Sequence, residues 1–523
     1  MKKTIYIAVL TLAAALPSAA QETYENAKIA SSDLNGTARY VGMGGAMEAL
    51  GADISTMSTN PAGIALFRRS WIGGTFGIVT QEGAADFAGA SKTKVSFDQA
   101  GFVYSSFDDD RDDSYINLGF NYHKSRNFNY ILSAADQLDN ASQNKVTYAK
   151  AKEEMLYFVD NKTGRIDLDR PQSACNQLDD IYANNLNYDY IKNTWYAFPM
   201  DDYTMDREHK GYISEFDFNL SGTYRSRIYF GATVGVYDVN YKHYGEYTEN
   251  LAGQRRVFVG DDRQIKGTGY DIKVGVIFRP IEQSALRFGL YVNSPIWYDL
   301  TTTNSTDVVI NADSRSANNN NDEYEFRLNT PWKFGISAGH TVGSMLALGL
   351  TYEYSDYGSL DSRYKTDREY NWYYDTYTEH SESDEPMNRH TERTLKGVST
   401  LKAGLELKPV PEMAVRLGYN YVSPKYEKQG FKDGTIASMG SYYSSATDFT
   451  NWKDTHRITC GFGYSFGQLN LSAAYQYSVT KGDFRPFMSY VDDTNNSADN
   501  NIAHSVGVSD KRHQVIMTLG YSF

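Results

Sequence analysis

The chain has 523 residues and a net charge of -13, with a mean hydropathy of -0.53, yet 14% of it is aromatic and 43 residues are tyrosine. An acidic balance excludes a nucleic-acid binder, which needs a basic footprint, and the aromatic content excludes a disordered chain. Past residue 20 no apolar run reaches the roughly 18 residues of a membrane helix, so any crossing falls to strands.

The chain opens as a secretory signal. Lys2 and Lys3 precede a short apolar run over 5–16, and Ser18-Ala19-Ala20 supplies the small residues of a cleavage site. Residues 1–20 are therefore expected to be a signal peptide. No Cys follows the site, so a lipid anchor is not indicated. Residues 21–69 are rich in small residues and read poorly as strands. They are either a plug inside whatever follows or a periplasmic tail. Gly42, Gly44 and Gly45 permit tight turns, and Pro61, ahead of Ala62 and Gly63, favours an extended Asn60.

From residue 70 the pattern is period-two alternation. In "LNLSAAYQYSVT" Leu469, Leu471, Ala473, Tyr475, Tyr477 and Val479 share one face, and small or polar residues the other. Ile458, Cys460, Phe462, Tyr464 and Phe466 repeat this, as do Val515, Met517, Leu519, Tyr521 and Phe523. A soluble sandwich also alternates. These runs, however, reach the ten or so residues of a tilted membrane strand. Their connections also alternate between short (224–227, 279–284, 340–344, 408–412 and around Gly467) and long and polar. That asymmetry predicts an outer-membrane barrel with its short turns periplasmic. Cys175 lies in an irregular stretch and Cys460 in a strand, which argues against a disulfide between them.

Fifteen runs can be counted, beginning near 70, 94, 114, 127, 211, 227, 262, 284, 322, 344, 396, 412, 454, 468 and 510. A barrel with both ends periplasmic needs an even number. The weakest break is His123-Lys124-Ser125-Arg126-Asn127, with neither Gly nor Pro. Merging across it gives one kinked strand near 114–134 and an all-β, 14-stranded antiparallel transmembrane barrel over 70–523. The irregular insertion 136–210 reads as an extracellular loop with a short helix, serving ligand capture or merely capping the surface. A barrel of this width conducts water unless filled, which favours residues 21–69 as an N-terminal hatch in the lumen. By alternation Lys402 and Arg416 face that lumen, as ligand-carboxylate contacts or as partners of acids such as Glu353 and Asp217.

The segment "ARYVGMGGAMEALGADISTMSTNPAGIALF" (38–67) resembles the hatch of the FadL family (OmpP1/FadL/TodX), outer-membrane transporters of long-chain fatty acids and hydrophobic compounds. "FDFNLSGTYRSRIYFGATVGVY" (216–237), "LNTPWKFGISAGHTVGSMLALGLTYEYSDY" (328–357) and "HRITCGFGYSFGQLNLSAAYQYS" (456–478) are similar to its hairpins. The resemblance weakens over 136–210 and 361–393. It implies a monomer in the outer membrane of a Gram-negative bacterium. Hydrophobic ligand would be captured outside, gated by the hatch and released sideways through a kinked third strand, here at His123, Lys124, Ser125 and Arg126. Expected partners are the lipid bilayer, a hydrophobic small molecule and, through C-terminal Phe523, the barrel assembly machinery. No cofactor, metal or nucleic acid is expected.

Three other functions share parts of this pattern. An enzyme is not indicated, because none of the nine histidines stands in a catalytic motif. A porin would account for the strands but not for a glycine-rich plug. A haem or other aromatic-ligand receptor of the same fold would use His380 and His390 in the Tyr-rich loop.

Overall fold

The computed structural model describes residues 23–107, 114–160, 162–163, 165–251, 253, 255–311, 313–317, 323–371, 376–491 and 497–523. The expected signal peptide lies outside them. Two short helices, α1 (Thr23–Ile29) and α2 (Ala38–Gly42), lead into the first strand. The wall then runs β1 (Trp71–Gln81), β2 (Thr93–Ser105), β3 (Ile116–Asn127 continued by Tyr130–Ala141), β4 (Met200–Tyr224), β5 (Ile228–Leu251) and β6 (Arg255–Phe278). It continues with β7 (Arg287–Asn293 and Trp297–Ile310), β8 (Glu323–Asn329 and Lys333–Val342), β9 (Leu346–Asp356 and Asp361–Asn371) and β10 (Thr376–Ser383 and Gly397–Val410). The last four are β11 (Met413–Val422), β12 (Phe449–Phe466), β13 (Leu469–Arg485) and β14 (Val506–Ser522).

Every strand pairs antiparallel with its sequence neighbour, and β14 returns to β1 from Trp71↔Ser522 to Gln81↔Arg512. The sheet is a closed 14-stranded barrel. Both halves of β3 pair with β4, so the run that looked like two strands is one.

Alternation sorts the side chains. Ile458 is 62% exposed and Phe462 47%, both pointing outward, whereas Thr459 is buried in the lumen. An apolar belt of this kind faces lipid, so this is a transmembrane barrel of the outer-membrane type. On β5 the outward apolar series Phe230, Val234, Val236 gives way to exposed Asp238 and Lys242. The walls therefore rise out of the bilayer and continue in water. The ends of the 136–210 insertion belong to β3 and β4. The remainder carries the expected helix as α3 (Gln143–Lys152) and a second helix, α4 (Gln177–Tyr182). Leu178, Ile181 and Tyr182 pack there with Met200, Phe484 and Phe487 from the upper walls. Both cysteines are free: Cys175 is buried and Cys460 lies on the outer face.

Candidate functional site

Residues 23–66 pack inside the barrel against its wall. Their path begins high, where Tyr24 stacks on Tyr426 at 5.0 Å and its hydroxyl donates to Asn451 Oδ1 at 2.7 Å. It descends to α2, capped by the Thr37 hydroxyl, and Ala38 N donates to Thr518 Oγ1 at 2.7 Å. The Asn-Pro-Ala-Gly stretch forms a 3₁₀ turn at Pro61–Leu66. Asn60 caps it: its Oδ1 accepts from Ala62 N at 3.2 Å while its Nδ2 donates to Glu48 O at 2.9 Å. Proline suits the first position of such a turn because its missing N–H has no partner to lose. Asn60 and Ala62 are fully buried.

The wall is cut away where this segment presses on it. Gly349, Gly404 and Gly418 are cross-strand neighbours on β9, β10 and β11, and a Cβ on any of them would strike the backbone of residues 43–46. Gly44 has φ +63°, and a Cβ there would lie 2.7 Å from Tyr419 N. Gly231 and Gly275, paired on β5 and β6, clear the same way for Pro61 and Asn60. Gly42, Gly44 and Gly45 thus meet wall strands β10–β12 and Lys402, and Gly63 packs on Thr56.

Lys402 and Arg416 do face the lumen. Lys402 Nζ lies 2.8 Å from Glu48 Oε1 and 3.6 Å from Glu353 Oε2, and Arg416 Nε donates to Glu406 Oε2 at 2.7 Å. Glu406 also holds Arg39 of the N-terminal segment, at 3.0 Å. Both cations are engaged by carboxylates of the chain itself.

The third strand departs from the wall at the position marked by His123, Lys124, Ser125 and Arg126. β2 pairs with β3 only between Gln99↔His123 and Ser105↔Asn117. Above that, residues 93–98 have β1 on one side and, among the described residues, no strand on the other. The register of β3 on β4 slips between Lys124 and Arg126, and the upper arm leans toward β1 and β14. There Gln81 acts as a substitute strand partner, exchanging two 2.8 Å hydrogen bonds with the backbone of Ile131.

Buried backbone groups need partners, and at the kink the N-terminal segment supplies them. Asp33 N donates to Ser125 O at 2.8 Å, and Asn35 Nδ2 donates to Lys124 O at 3.0 Å. The Asp33 carboxylate accepts from Asn127 N at 2.9 Å and from Arg126 Nη1 at 2.7 Å. Burial acts to raise the Asp33 pKa, but Arg126, Arg512 and Arg457 outweigh it and hold the carboxyl below its usual value. Asp33, Asn35 and Gln81 carry no sequence signal, because their partners are backbone atoms fifty or more residues away, at a kink that propensity does not locate.

Above this clamp lies a cavity of about 250 Å³. Leu34, Val79, Phe128, Leu132, Val398 and Trp452 give it an apolar side, and its walls hold eight Lys or Arg against five Asp or Glu. That is a basic lining inside an acidic protein. Lys425 stands out: its ammonium is held by neutral oxygens, donating to Ser31 Oγ and to Ala27 O at 3.4 Å. Burial first, then Arg126 and, more weakly, Arg457 push its pKa down to about 7 against an upward pull from Asp33. Neither Lys402 nor Arg416 borders this cavity. Lys402 lines a side chamber of about 160 Å³, and Arg416 a vestibule of about 410 Å³ at the short-turn end. His390 is bonded to Thr23 Oγ1 at 2.8 Å and Phe431 O at 2.9 Å, while His380 sits exposed on the β10 arm.

No protein-family model and no curated protein matches the chain. Among solved structures, a Pseudomonas aeruginosa FadL homologue superposes with a TM-score of 0.52 at 12% identity, covering 94% of this chain and 99% of that one. The Ralstonia pickettii toluene transporter TbuX gives 0.48 at 12% identity over 94% and 98%, and the P. putida toluene transporter TodX 0.46 at 11% over 94% and 99%. At these identities the likeness is one of fold, and it is carried by the first of the three.

Proposed function

We propose that this barrel is a passive importer of hydrophobic molecules, long-chain fatty acids among them. Ligand enters from the long-loop side and docks in the cavity between the upper hatch, residues 24–35, and the wall. It leaves sideways into the bilayer where β2 and β3 part. The observation that carries this reading is the shared anchorage of hatch and kink: Asp33 and Asn35 hold the very backbone that β2 leaves unpaired. A hatch displaced by ligand withdraws those partners, so gating and lateral opening become one event. The likeness in fold to a FadL homologue agrees with apolar cargo.

Lateral exit keeps an acyl chain out of water, which is worth ~0.8 kcal/mol per CH₂. The excess of basic lining favours an anionic headgroup over a neutral aromatic, with Lys425 as its contact. Lys402 and Arg416 take the role of holding the hatch, through Glu48 and Glu406.

Competition against a fluorescent fatty acid bound to the purified barrel tests the ligand assignment. A long-chain acid is expected to displace the probe at lower concentration than the alcohol of equal length or toluene, and Lys425→Met to shrink the gap. Equal displacement by all three would remove the anionic headgroup from the account.

A further inference from the structure

We propose that His123, Glu215 and Asp217 bind one divalent first-row cation on the lumen wall, just below the point where β2 and β3 separate. Among the described residues this is the one group of three His, Cys, Asp or Glu side chains whose ligand atoms converge, all within 4.8 Å of one another, and all three are buried. His123 comes from β3; Glu215 and Asp217 share the inward face of β4.

Acidic groups outnumber cations around the group. Lys273 Nζ takes one oxygen from each of three carboxylates, Glu215 at 2.9 Å, Asp217 at 2.9 Å and Asp271 at 2.8 Å. The remaining oxygen of Asp271 accepts from the Tyr237 hydroxyl at 3.0 Å. The second oxygens of the other two turn to the imidazole: Glu215 Oε2 lies 3.4 Å from His123 Nε2, and Asp217 Oδ2 3.9 Å from Nδ1. Asn121 Nδ2 stands 3.4 Å from Nδ1. Asp217 is fully buried, and its Oδ2 has no hydrogen-bond partner.

Three carboxylates share one ammonium out of water, a costly arrangement unless a proton or a cation neutralises the excess. A dication does so, bound by one imidazole nitrogen and two carboxylate oxygens that lie within 4.8 Å of one another. One imidazole and two carboxylates suit zinc and its neighbours, with metal–ligand distances of about 2.0–2.2 Å. The three side chains need to draw in by roughly an ångström to reach them. Lys273 then serves as the outer partner that orients the ligating carboxylates. The side chamber of about 160 Å³ touches His123, Glu215 and Lys273, and gives the ion a way in. An ion here ties β3 to β4 immediately under the register slip and confines any opening to the wall above it. The site stands on this geometry whether or not the transport reading holds.

The test uses the tag-free full chain, folded in detergent and stripped with chelator. Titration with Zn²⁺ is expected to show one site per barrel. Co²⁺ is expected to give visible absorption typical of nitrogen and oxygen ligands. His123→Ala and Asp217→Asn should each weaken binding by roughly tenfold or more, while His504→Ala on the surface should not. Heat-modifiable gel mobility checks that each variant is folded. If a variant fails that check, anomalous scattering from zinc-soaked crystals of the unaltered protein decides. A peak between the three residues supports the site. A peak elsewhere, or no stoichiometric binding, overturns it.

Discussion

Replacing Asp33 by alanine removes the two charge-assisted hydrogen bonds that the hatch gives to the kink, from Asn127 N at 2.9 Å and Arg126 Nη1 at 2.7 Å. Such bonds contribute about 1.5–3 kcal/mol each. Both side chains are 21% exposed, so water recovers part of the loss, and about 2–4 kcal/mol is a fair net figure. At 1.4 kcal/mol per decade that is roughly a 30- to 700-fold rise in local opening. Hydrogen exchange followed by mass spectrometry reads this directly. Amides at 124–127 should exchange faster by that factor, those at 31–36 should follow, and β12–β14 should keep their protection. Asp33→Asn retains an acceptor for Asn127 and should show a smaller effect. Unchanged exchange at the kink, or a uniform rise around the barrel, would refute the idea that the hatch clamps the seam.

Gly418→Ala places a methyl group against the backbone of Met43 and Gly44. Overpacking of this sort costs about 1–3 kcal/mol, and the displaced hatch should admit small sugars in a liposome-swelling assay, where the unaltered protein should not. Because the pKa of Lys425 is lowered to about 7, its cation is present below pH 7 and lost above it. The charged fraction falls roughly tenfold between pH 6 and pH 8. A long-chain alkylsulfonate, charged throughout, should accordingly bind more tightly at pH 6, and Lys425→Gln should flatten the profile. A nitroxide on Cys460 should report the oxygen accessibility of lipid, whereas buried Cys175 should resist labelling until the protein unfolds.

The barrel was legible because a lipid-facing wall imposes a strict period of two, visible in runs such as Leu469, Leu471, Tyr475. Parity then resolved the ambiguity at His123. The heights of the walls were not legible, since β4, β5 and β6 extend beyond the bilayer, where the outward face turns polar at Asp238 and Lys242. The hatch showed itself through glycines and Asn60-Pro61, but half of its fit lies in Gly349, Gly404 and Gly418. Alternation hides them, because a glycine is neutral to either face. The clamp at Asp33 and the cavity cation Lys425 sit in segments without periodicity. Their roles arise from contacts remote in sequence, Asp33 with the kink of β3 and Lys425 with Ala27 and Ser31, and no local pattern encodes those.

The most direct test of the central claim is uptake of a labelled long-chain fatty acid by cells that lack their own transporter and express this barrel, with leakage of a small sugar recorded in the same cells. A plugged barrel with lateral release predicts fatty-acid uptake without sugar leakage. Sugar leakage without fatty-acid uptake would contradict it and leave an open pore.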